Sequence, residues 1–407
     1  MIFKIAWRNI WRSKLRSFTV MGSVIIGVLS LSFMLAFFAG FIEAYVSSAI
    51  ENDLSHIQLH HPDFKKDKEV QYRLKDIEAI EKQVTSLDAV KAYTVRSLNN
   101  GMLATATGSR GVQIRGVLSE KEAAITNLDQ KITTGVYFDA TKKRNPILVS
   151  KRLAEKLNLS LKSKVVLTFQ QANGALTSAA FKIIGLYQTG NAIFENLNVY
   201  IRQEDLSRLM GETAMIHELA LLLNKKDAIE ATQHYLSQHN DSTQVLVENY
   251  QQISPDVNLY ESQMSIATYI MIVIIMLALI FGIINTMLMA VLERTRELGM
   301  LMAVGMNRSK VFLIIILETI LLGVIAAPIG LVLGFLTNAY FGSYGIDLSS
   351  YSEGMEKFGL SDVVYTHMQT ADYLLIMIAV AITAILGALY PALKAIRLKP
   401  VEAIRKI

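Results

Sequence analysis

Four long apolar segments constrain the fold of this chain more than any other feature. They cover residues 20–42, 266–292, 311–341 and 373–393. Each is long enough to cross a hydrocarbon core, which takes about 20 residues of helix. The first segment is too long for a removed signal peptide, so we expect it to be retained. Because 18% of the 407 residues are charged, a water-facing part must accompany the spanning helices.

Basic residues indicate which side of the membrane each connection faces. They cluster before the first segment, between the second and third, and after the fourth, whereas loop 342–370 is mainly acidic. Lys and Arg in short flanking loops mark the cytoplasmic side, so both termini are predicted inside. The predicted order is a cytoplasmic amphipathic helix (1–19), a spanning helix (20–43), an extracytoplasmic domain (44–263), a spanning helix (264–292), a cytoplasmic helix (293–310), a spanning helix (311–341), an extracytoplasmic loop (342–370), a spanning helix (371–393) and a cytoplasmic tail (394–407).

Residues 44–263 contain equal numbers of basic and acidic residues and mix two kinds of pattern. Apolar residues recur at a helical period, and β-branched or alternating runs indicate strands. We therefore predict a large α+β domain inserted between the first two spanning helices. The helical patterns lie at 74–87, 153–157 and 227–236, and the strand patterns at 164–169, 180–186 and 219–223.

The first 18 residues have the pattern of an amphipathic helix. One stripe carries Phe3, Trp7, Ile10, Trp11, Leu15 and Phe18, and the neighbouring arc carries Lys4, Arg8, Arg12 and Arg16. Tryptophan favours the headgroup level and basic side chains favour anionic lipid. Since a spanning helix follows directly, we interpret this patch as a contact with membrane lipids and not with nucleic acid.

The sequence contains no pattern of catalytic or nucleotide-binding residues. It has no cysteine, no G-x-x-x-x-G-K-[ST] phosphate loop, no G-x-S-x-G elbow and no H-E-x-x-H pair. His56 and His60 would share a face of a strand while His61 points away, and no carboxylate is evident as a partner. We predict a polar strand end there, and neither a metal site nor an enzyme active site in the chain.

Several residues within or near the apolar segments are candidates for function. An intramembrane carboxylate is costly and is by default a functional hypothesis. We favour a packing or coupling anchor at Glu318 over a proton site; Asn285 is a second polar residue of this kind. Aromatic residues of the first segment either pack against lipid and neighbouring helices or form an apolar wall for a lipid-like substrate. The substrate-lining candidates are Phe33, Phe37, Phe41 and Met264.

The stretch 285–306 joins the second spanning helix to a short charged helix and reads NTMLMAVLERTRELGMLMAVGM. By its chemistry it is either a helix that carries force between a cytoplasmic partner and the bilayer or an ordinary juxtamembrane helix. The run closely resembles the membrane–cytoplasm junction of the FtsX-like permease family, which includes MacB-type exporters and the lipoprotein-releasing LolC/LolE subunits of ABC transporters. The segment PILVSKRLAEKLNLSLKSKVVLTF resembles the family's extracytoplasmic core domain more loosely, and the end YPALKAIRLKPVEAIRKI resembles its C-terminal pattern.

The resemblance implies that the 293–310 helix docks on a separate ATPase. Charged side chains would then contact the ATPase and apolar ones would fill its groove. The coupling residues implied in this way are Glu293, Arg294, Arg296, Glu297, Leu298, Gly299, Leu301, Val304 and Gly305.

The resemblance also implies a function: a permease subunit in a bacterial inner membrane, with two ATPase subunits that bind the ATP and Mg and a second permease, identical or related. Two features favour the lipoprotein-releasing branch: the stretch HIQLHHPDF at 56–64, near the start of the predicted extracytoplasmic domain, and the N-terminus with its two tryptophans. This branch implies a lipoprotein as substrate and a periplasmic acceptor for it. The alternatives are efflux of amphipathic compounds or peptides of the MacB kind, and an FtsX-like signalling complex that regulates cell-wall hydrolysis without transport.

Overall fold

The computed structural model describes residues 2–12, 14–138, 144–212, 215–351, 354–355 and 363–397. The C-terminal motif at 400–405 and the predicted loop charges at 353, 356, 357 and 362 lie outside the described residues, as does the side chain of Arg16. The chain divides into two compact units. The helical unit is Met1–Glu43, Ser262–Asp347 and Val363–Ile407, and the sheet unit is Ala44–Glu261 and Leu348–Asp362.

Helices account for most of the described helical unit and flank the strands of the sheet unit. A π-helical turn, Ile50–Leu54, and short 3₁₀ turns at Lys226–Ala228 and Ser349–Tyr351 supplement them. In chain order the helices are α1 (Ile2–Arg12), α2 (Lys14–Ala49), α3 (Phe64–Asp67), α4 (Ile77–Thr85), α5 (Ser119–Thr126), α6 (Lys151–Lys156), α7 (Ala192–Leu197), α8 (Gln203–Met210), α9 (Ile229–His239), α10 (Tyr250–Ile253), α11 (Pro255–Glu293), α12 (Thr295–Ala303), α13 (Arg308–Tyr344) and α14 (Thr370–Ile396).

The four predicted apolar segments lie in α2, α11, α13 and α14, which are long and apolar enough to cross a membrane. Close helix contact depends on small residues. A Cβ added at Gly330 of α13 would come within 2.8 Å of the Val28 Cβ, and one at Gly334 within 2.7 Å of the Ser32 hydroxyl oxygen. Small residues four apart therefore allow α13 to lie directly against α2.

A short extended segment between β12 (Val363–Val364) and α14 also packs on α2. β12 pairs with β11 (Ile346–Asp347), and beyond it the His367 amide donates to the Ala36 carbonyl at 3.0 Å. Gly40 allows this approach, because an added Cβ there would collide with the Tyr365 carbonyl. We call residues 365–369 the strap.

The N-terminal region differs from the continuous amphipathic helix predicted over residues 1–18. Helix α1 ends at Arg12 and α2 begins at Lys14. The predicted apolar stripe is also divided, because Ile10 is fully buried in the helical core while Trp7 and Trp11 are exposed. Part of α1 is thus a core element of the helical unit, and only its other side remains available to lipid.

The sheet unit is built on strands whose pairing closes a ring. β2, β3, β8, β5, β7 and β6 pair in that order, and β6 returns to pair with β2. A closed ring leaves no free edge among its members. Its interior is apolar and includes Leu103, Ile114, Leu167 and Phe181. The strands are β1 (Ile57–His60), β2 (Val90–Ala104), β3 (Ser109–Val117), β4 (Ile132–Gly135), β5 (Pro146–Ser150), β6 (Lys164–Gln170), β7 (Leu176–Tyr187), β8 (Asn198–Arg202), β9 (Glu218–Leu223) and β10 (Leu246–Asn249).

The first half of β2 belongs to a second part of the same sheet, outside the ring. There β2 pairs with β9, and the order continues through β1 to β10, all antiparallel. Helices α4 and α9 contribute to the core of this part, with Ile80, Val84 and Leu236 buried against Leu59 and Leu221. The predicted α+β character is therefore confirmed.

Candidate functional site

The predicted 293–310 helix is three pieces in the structure. Glu293 is the last residue of α11, α12 spans Thr295–Ala303, and α13 begins at Arg308. Gly305 has a φ of 100°, a left-handed conformation that favours glycine. Asn307 then caps α13 by accepting from the Ser309 amide at 3.3 Å. Where the sequence predicted a single helix over 293–310, the structure thus has a turn at Gly305 and a new helix that begins after its cap, Asn307.

A buried ion pair lies at the start of α12. The Arg294 Nη1 donates to both carboxylate oxygens of Glu318, at 3.0 and 3.3 Å, and the two side chains are only 13% and 9% exposed. The Arg294 Nη2 donates to the Asn9 carbonyl at 3.0 Å, and the Asn9 amide reaches Glu318 at 3.5 Å. One guanidinium therefore joins α1, α13 and the α11–α12 turn.

A second ion pair joins α1 to α12 at the surface. The Arg12 guanidinium donates to the two carboxylate oxygens of Glu297 at 2.6 and 3.1 Å. The Ser17 hydroxyl at the start of α2 donates to the Ile10 carbonyl at 2.6 Å, which ties the end of α1 to α2. We call the assembly of α1, α12 and the adjoining ends of α11 and α13 the junction site.

The junction site lines an open cavity of about 1000 Å³. Arginine and glutamate side chains supply its polar wall, and Trp7, Trp11 and Met287 supply apolar wall. The two indoles contact edge to face, with ring centroids 6.1 Å apart. The cavity is therefore bounded on one side by α1, which the sequence alone did not connect to α12.

The predicted coupling residues divide into a buried set and an exposed set. Leu298 and Gly299 are buried in the helical core, and Arg294 is turned inward to Glu318, so these three do not form the surface. Leu301 is half-buried and lines the cavity. The exposed set is Glu293, Arg296, Val304 and Gly305; the Glu297 side chain is 39% exposed and is paired with Arg12.

Met300 joins this surface although sequence reasoning did not select it. Arg296, Met300 and Val304 follow at intervals of four, which places them on one face of the helix and its end. Val304 is 90% exposed, a high value for a branched apolar side chain. Met300 could have been predicted from the sequence, because it lies four residues after Arg296 and four before Val304, which are both predicted coupling residues. Docking of this face on an ATPase stays a prediction.

The substrate-lining candidates on α2 form an aromatic ladder. Phe37 contacts Phe33 and Phe41, with ring centroids 6.4 and 6.2 Å apart, and Phe33 also contacts Phe341 of α13 at 5.7 Å. Met264 is half-buried on α11. The contacts of Phe37 lie within α2, and the Phe33–Phe341 contact packs α2 on α13, as the first of the two interpretations expects. A role in lining a substrate path stays a prediction.

The two polar residues predicted inside the apolar segments differ in environment. Glu318 is buried and ion-paired to Arg294, whereas Asn285 is exposed on the surface of α11. An ion pair lowers the cost of a carboxylate in an apolar bundle. The contact supports an anchoring role for Glu318.

Each of the three histidines has a partner within the protein. The His56 Nδ1 accepts from the Leu223 amide at 2.9 Å, and burial lowers the pKa of this imidazole. His60 lies 2.8 Å from a Glu248 oxygen, and His61 stacks on Tyr72. The sequence showed no carboxylate partner for them because Glu248 reaches His60 only through the β1–β10 pairing.

Two buried arginines in the sheet unit were missed by sequence reasoning. Arg96 on β2 is fully buried and forms ion pairs with Glu122 at 2.9 Å and Glu218 at 2.6 Å. Burial alone would lower the pKa of Arg96, but these two carboxylates outweigh it and hold the pKa well above its ordinary value.

The second arginine, Arg115 on β3, is ion-paired with Asp53 in the π-helical turn. Burial again opposes the charged form, and the Asp53 carboxylate leads the effects that raise the pKa of Arg115. The sequence offered no clear signal for either residue, because β2 and β3 also carry exposed charges such as Lys91 and Arg110. A buried arginine depends on its partner, and the partners here come from other elements.

Four apolar helices of the described chain that are long enough to span a bilayer, together with the inserted α+β unit and the junction site, are the features of a membrane protein with a large inserted domain. Residues 17–239 match the MacB-like periplasmic core domain, and residues 269–400 match the FtsX-like permease C-terminal family. The first match alone covers more than half of the chain, so the chain belongs to the FtsX-like family of ABC-transporter permeases with a MacB-like periplasmic core domain.

Two named relatives illustrate the range of the family. The chain is 24% identical over 375 residues to the macrolide export ATP-binding/permease protein MacB of Campylobacter jejuni strain 81-176, covering 86% of this chain and 56% of that protein. It is 25% identical over 325 residues to the lipoprotein-releasing system transmembrane protein LolC of Neisseria meningitidis serogroup B, covering 75% of this chain and 76% of that protein. The chain thus spans about half the length of the MacB relative. The solved periplasmic region of MacB from Actinobacillus actinomycetemcomitans aligns with 53% of this chain and 97% of its own, with a TM-score of 0.36 and 11% identity.

Proposed function

We propose that this chain is the permease subunit of an ABC transporter in a bacterial inner membrane, moved by ATP hydrolysis in separate ATPase subunits. The N- and C-termini and α12 face the cytoplasm, and the sheet unit lies in the periplasm. Two ATPase subunits, which bind the ATP and Mg, act on two permeases, identical or related. The single observation that carries the proposal is the Arg294–Glu318 ion pair.

The ion pair matters because it connects α12 firmly to the helices α13 and α1. A push on an isolated surface helix would be absorbed by bending of its connections. Here Arg294 joins the start of α12 to α13 and α1, and Arg12 holds α12 again through Glu297. Force applied to the exposed face of α12 therefore reaches the spanning helix α13 through buried, charge-assisted contacts.

For the substrate we propose a lipoprotein, released from the inner membrane and handed to a periplasmic acceptor. An acyl anchor holds to a bilayer by about 0.8 kcal/mol per buried CH₂, so several chains sum to tens of kcal/mol. Extraction of such an anchor needs an external energy source and an apolar path, which the Phe33–Phe41 ladder would line. Similarity to LolC over three quarters of both chains supports this choice.

A second candidate is efflux of amphipathic compounds or peptides, since the MacB similarity extends over 86% of this chain. The two are distinguished by depleting the protein in cells. Lipoproteins that accumulate in the inner membrane support release, whereas raised sensitivity to hydrophobic drugs with normal lipoprotein sorting supports efflux. A cell-separation defect without either effect would point to the FtsX-like signalling role.

The coupling proposal is tested on the exposed face of α12. Arg296→Glu and Val304→Asp should each reduce co-purification of the ATPase and ATP-driven activity, because both residues are exposed and their replacement leaves the core intact. The matched controls Lys151→Glu and Leu176→Asp change exposed residues of the sheet unit in the same way. Unaltered ATPase association in both α12 variants would refute the docking role of this face.

A further inference from the structure

One pocket of the sheet unit has no part in the proposed coupling. Its volume is about 630 Å³, within the range of about 300–1,000 Å³ usual for small-molecule sites. The last turn of α2 and the π-helical turn, strands β2 and β3, helix α7 and the start of α11 supply its walls. We call it the Arg115 pocket.

Arg115 provides a hydrogen-bond donor at this pocket. Its side chain is 3% exposed. The Nε donates to the Asn198 Oδ1 at 2.8 Å, and the Nη2 donates to Asp53 and to the Gln113 Oε1. The Nη1 is buried and has no acceptor among the residues that the structure describes. Because a buried donor without an acceptor is costly, an acceptor that enters the pocket would be bound favourably.

Helix α7 provides an apolar wall beside this donor. Ile193 and Leu197 lie one turn apart on α7, line the pocket and are 63% and 51% exposed. Phe194 between them is buried, and its ring lies 5.0 Å from the Arg115 guanidinium carbon. The pocket therefore combines one fixed donor with an adjacent apolar surface that the described part of the sheet unit leaves exposed.

The charges at the pocket favour an uncharged ligand. Arg115 and Lys68 are matched by Asp53 and Asp256. An additional anion would bring an unbalanced charge into a partly buried site, which is costly. A carbonyl oxygen of an ester or amide accepts a hydrogen bond without adding charge.

We propose that the Arg115 pocket binds an uncharged amphiphile whose ester or amide carbonyl accepts from the Arg115 Nη1 and whose apolar chain lies on Ile193 and Leu197. In the transport cycle the pocket would bind the acyl end of the substrate transiently, and that assignment rests on the proposed function. The binding itself needs neither the ATPase nor ATP.

The test compares two probes that differ in one carbonyl. Monooctanoyl glycerol and 1-O-octyl glycerol are titrated calorimetrically into the full chain held in amphipol, without ATPase. We expect the ester to bind about 10-fold more tightly, because only it carries a carbonyl oxygen, a stronger acceptor for a charged donor than the ether oxygen that both probes share in position. N-octanoyl glycinamide, tested in parallel, distinguishes an N-acyl source of the carbonyl from a glycerolipid source. Equal affinities for ester and ether would overturn the proposal.

Variants of the apolar wall locate the site. Ile193→Asn and Leu197→Asn should weaken both probes about 5-fold, because less apolar surface is buried on binding. Leu176→Asn, at a 78% exposed leucine outside the pocket, is the matched control and should leave binding unchanged. Arg115→Lys should remove the preference for the ester. If Arg115→Lys does not fold, the two variants at exposed positions of α7 still test the site. Unchanged probe affinity in both Ile193→Asn and Leu197→Asn would refute it.

The outcome is separable from that of the proposed function. If the chain shows ATP-driven activity but no preference for the ester, only the proposed ligand of the Arg115 pocket is rejected. Intact ester binding in a chain that associates with no ATPase would reject the proposed function alone.

Discussion

Removal of one member of the Arg294–Glu318 pair should destabilise the helical unit strongly, and removal of both should not. At about 3 Å and an effective dielectric constant of about 20, the attraction between two unit charges is about 5 kcal/mol, most of which desolvation offsets. What remains costly is a single buried charge. In Glu318→Leu, the Arg294 guanidinium keeps the Asn9 carbonyl but loses both carboxylate contacts. We expect a loss of about 3 kcal/mol for Glu318→Leu and for Arg294→Met.

The double variant isolates the interaction. Arg294→Met with Glu318→Leu replaces the pair by apolar side chains of similar volume, and its stability should return to within about 1–2 kcal/mol of the starting protein. The coupling energy, which is the sum of the two single losses less the loss in the double variant, is then about 4–5 kcal/mol. An SDS unfolding titration of the purified chain, followed by circular dichroism, measures all four proteins.

Arg12→Ala provides the matched control. Arg12 forms an ion pair of similar geometry with Glu297, but the two side chains are 65% and 39% exposed. Exposed pairs contribute about 0.2–1 kcal/mol. If the two single substitutions at the buried pair simply add in the double variant, or cost no more than Arg12→Ala, the view of Arg294 as the rigid link of the junction site is refuted.

Three further predictions concern packing, pH and orientation. Gly40→Ala should destabilise the chain in the same SDS titration, because the new Cβ collides with the strap, whereas Gly22→Ala, with nothing within 4 Å, should be neutral or stabilising by up to about 1 kcal/mol. Burial lowers the pKa of His217 from 6.5 to about 4. The unfolded chain therefore binds the proton first, and His217 should lower the stability of the sheet unit by about 1 kcal/mol per pH unit from pH 6.5 towards 4; urea unfolding should find the pH dependence smaller by this amount in His217→Gln. Because the chain has no cysteine, single cysteines at Arg296 and Lys151 can be labelled with an impermeant maleimide in intact spheroplasts; we expect reaction at Lys151 only, and the reverse pattern would overturn the orientation.

The junction site also changes the expected consequence of mutations in the coupling segment. Substitutions at Arg294 and Leu298 should act through folding, since both side chains are buried. Substitutions at Arg296 and Val304 should act through partner binding, since both are exposed. A screen that scores activity alone would combine these two groups, so protein abundance must be measured beside it.

Periodicity and length made the main elements of this protein readable from the sequence. Four apolar runs of sufficient length can be satisfied only as helices in a bilayer, and each lies in one long helix of the structure. The alternation in residues 164–169 and 180–186 likewise appears as paired strands, β6 and β7. Such local patterns are readable because each is imposed by the geometry of a single element.

Only the tertiary structure decided which residues of the junction are available to a partner. Arg294 and Arg296 are indistinguishable in the sequence, yet one is paired with a carboxylate 24 residues away and the other is exposed. The closing of the strand ring and the clamp of Arg115 on Asp53 depend in the same way on residues distant in the chain. Burial and pairing of a charge are set by what other elements bring near it, and one sequence, read locally, contains no measure of that proximity.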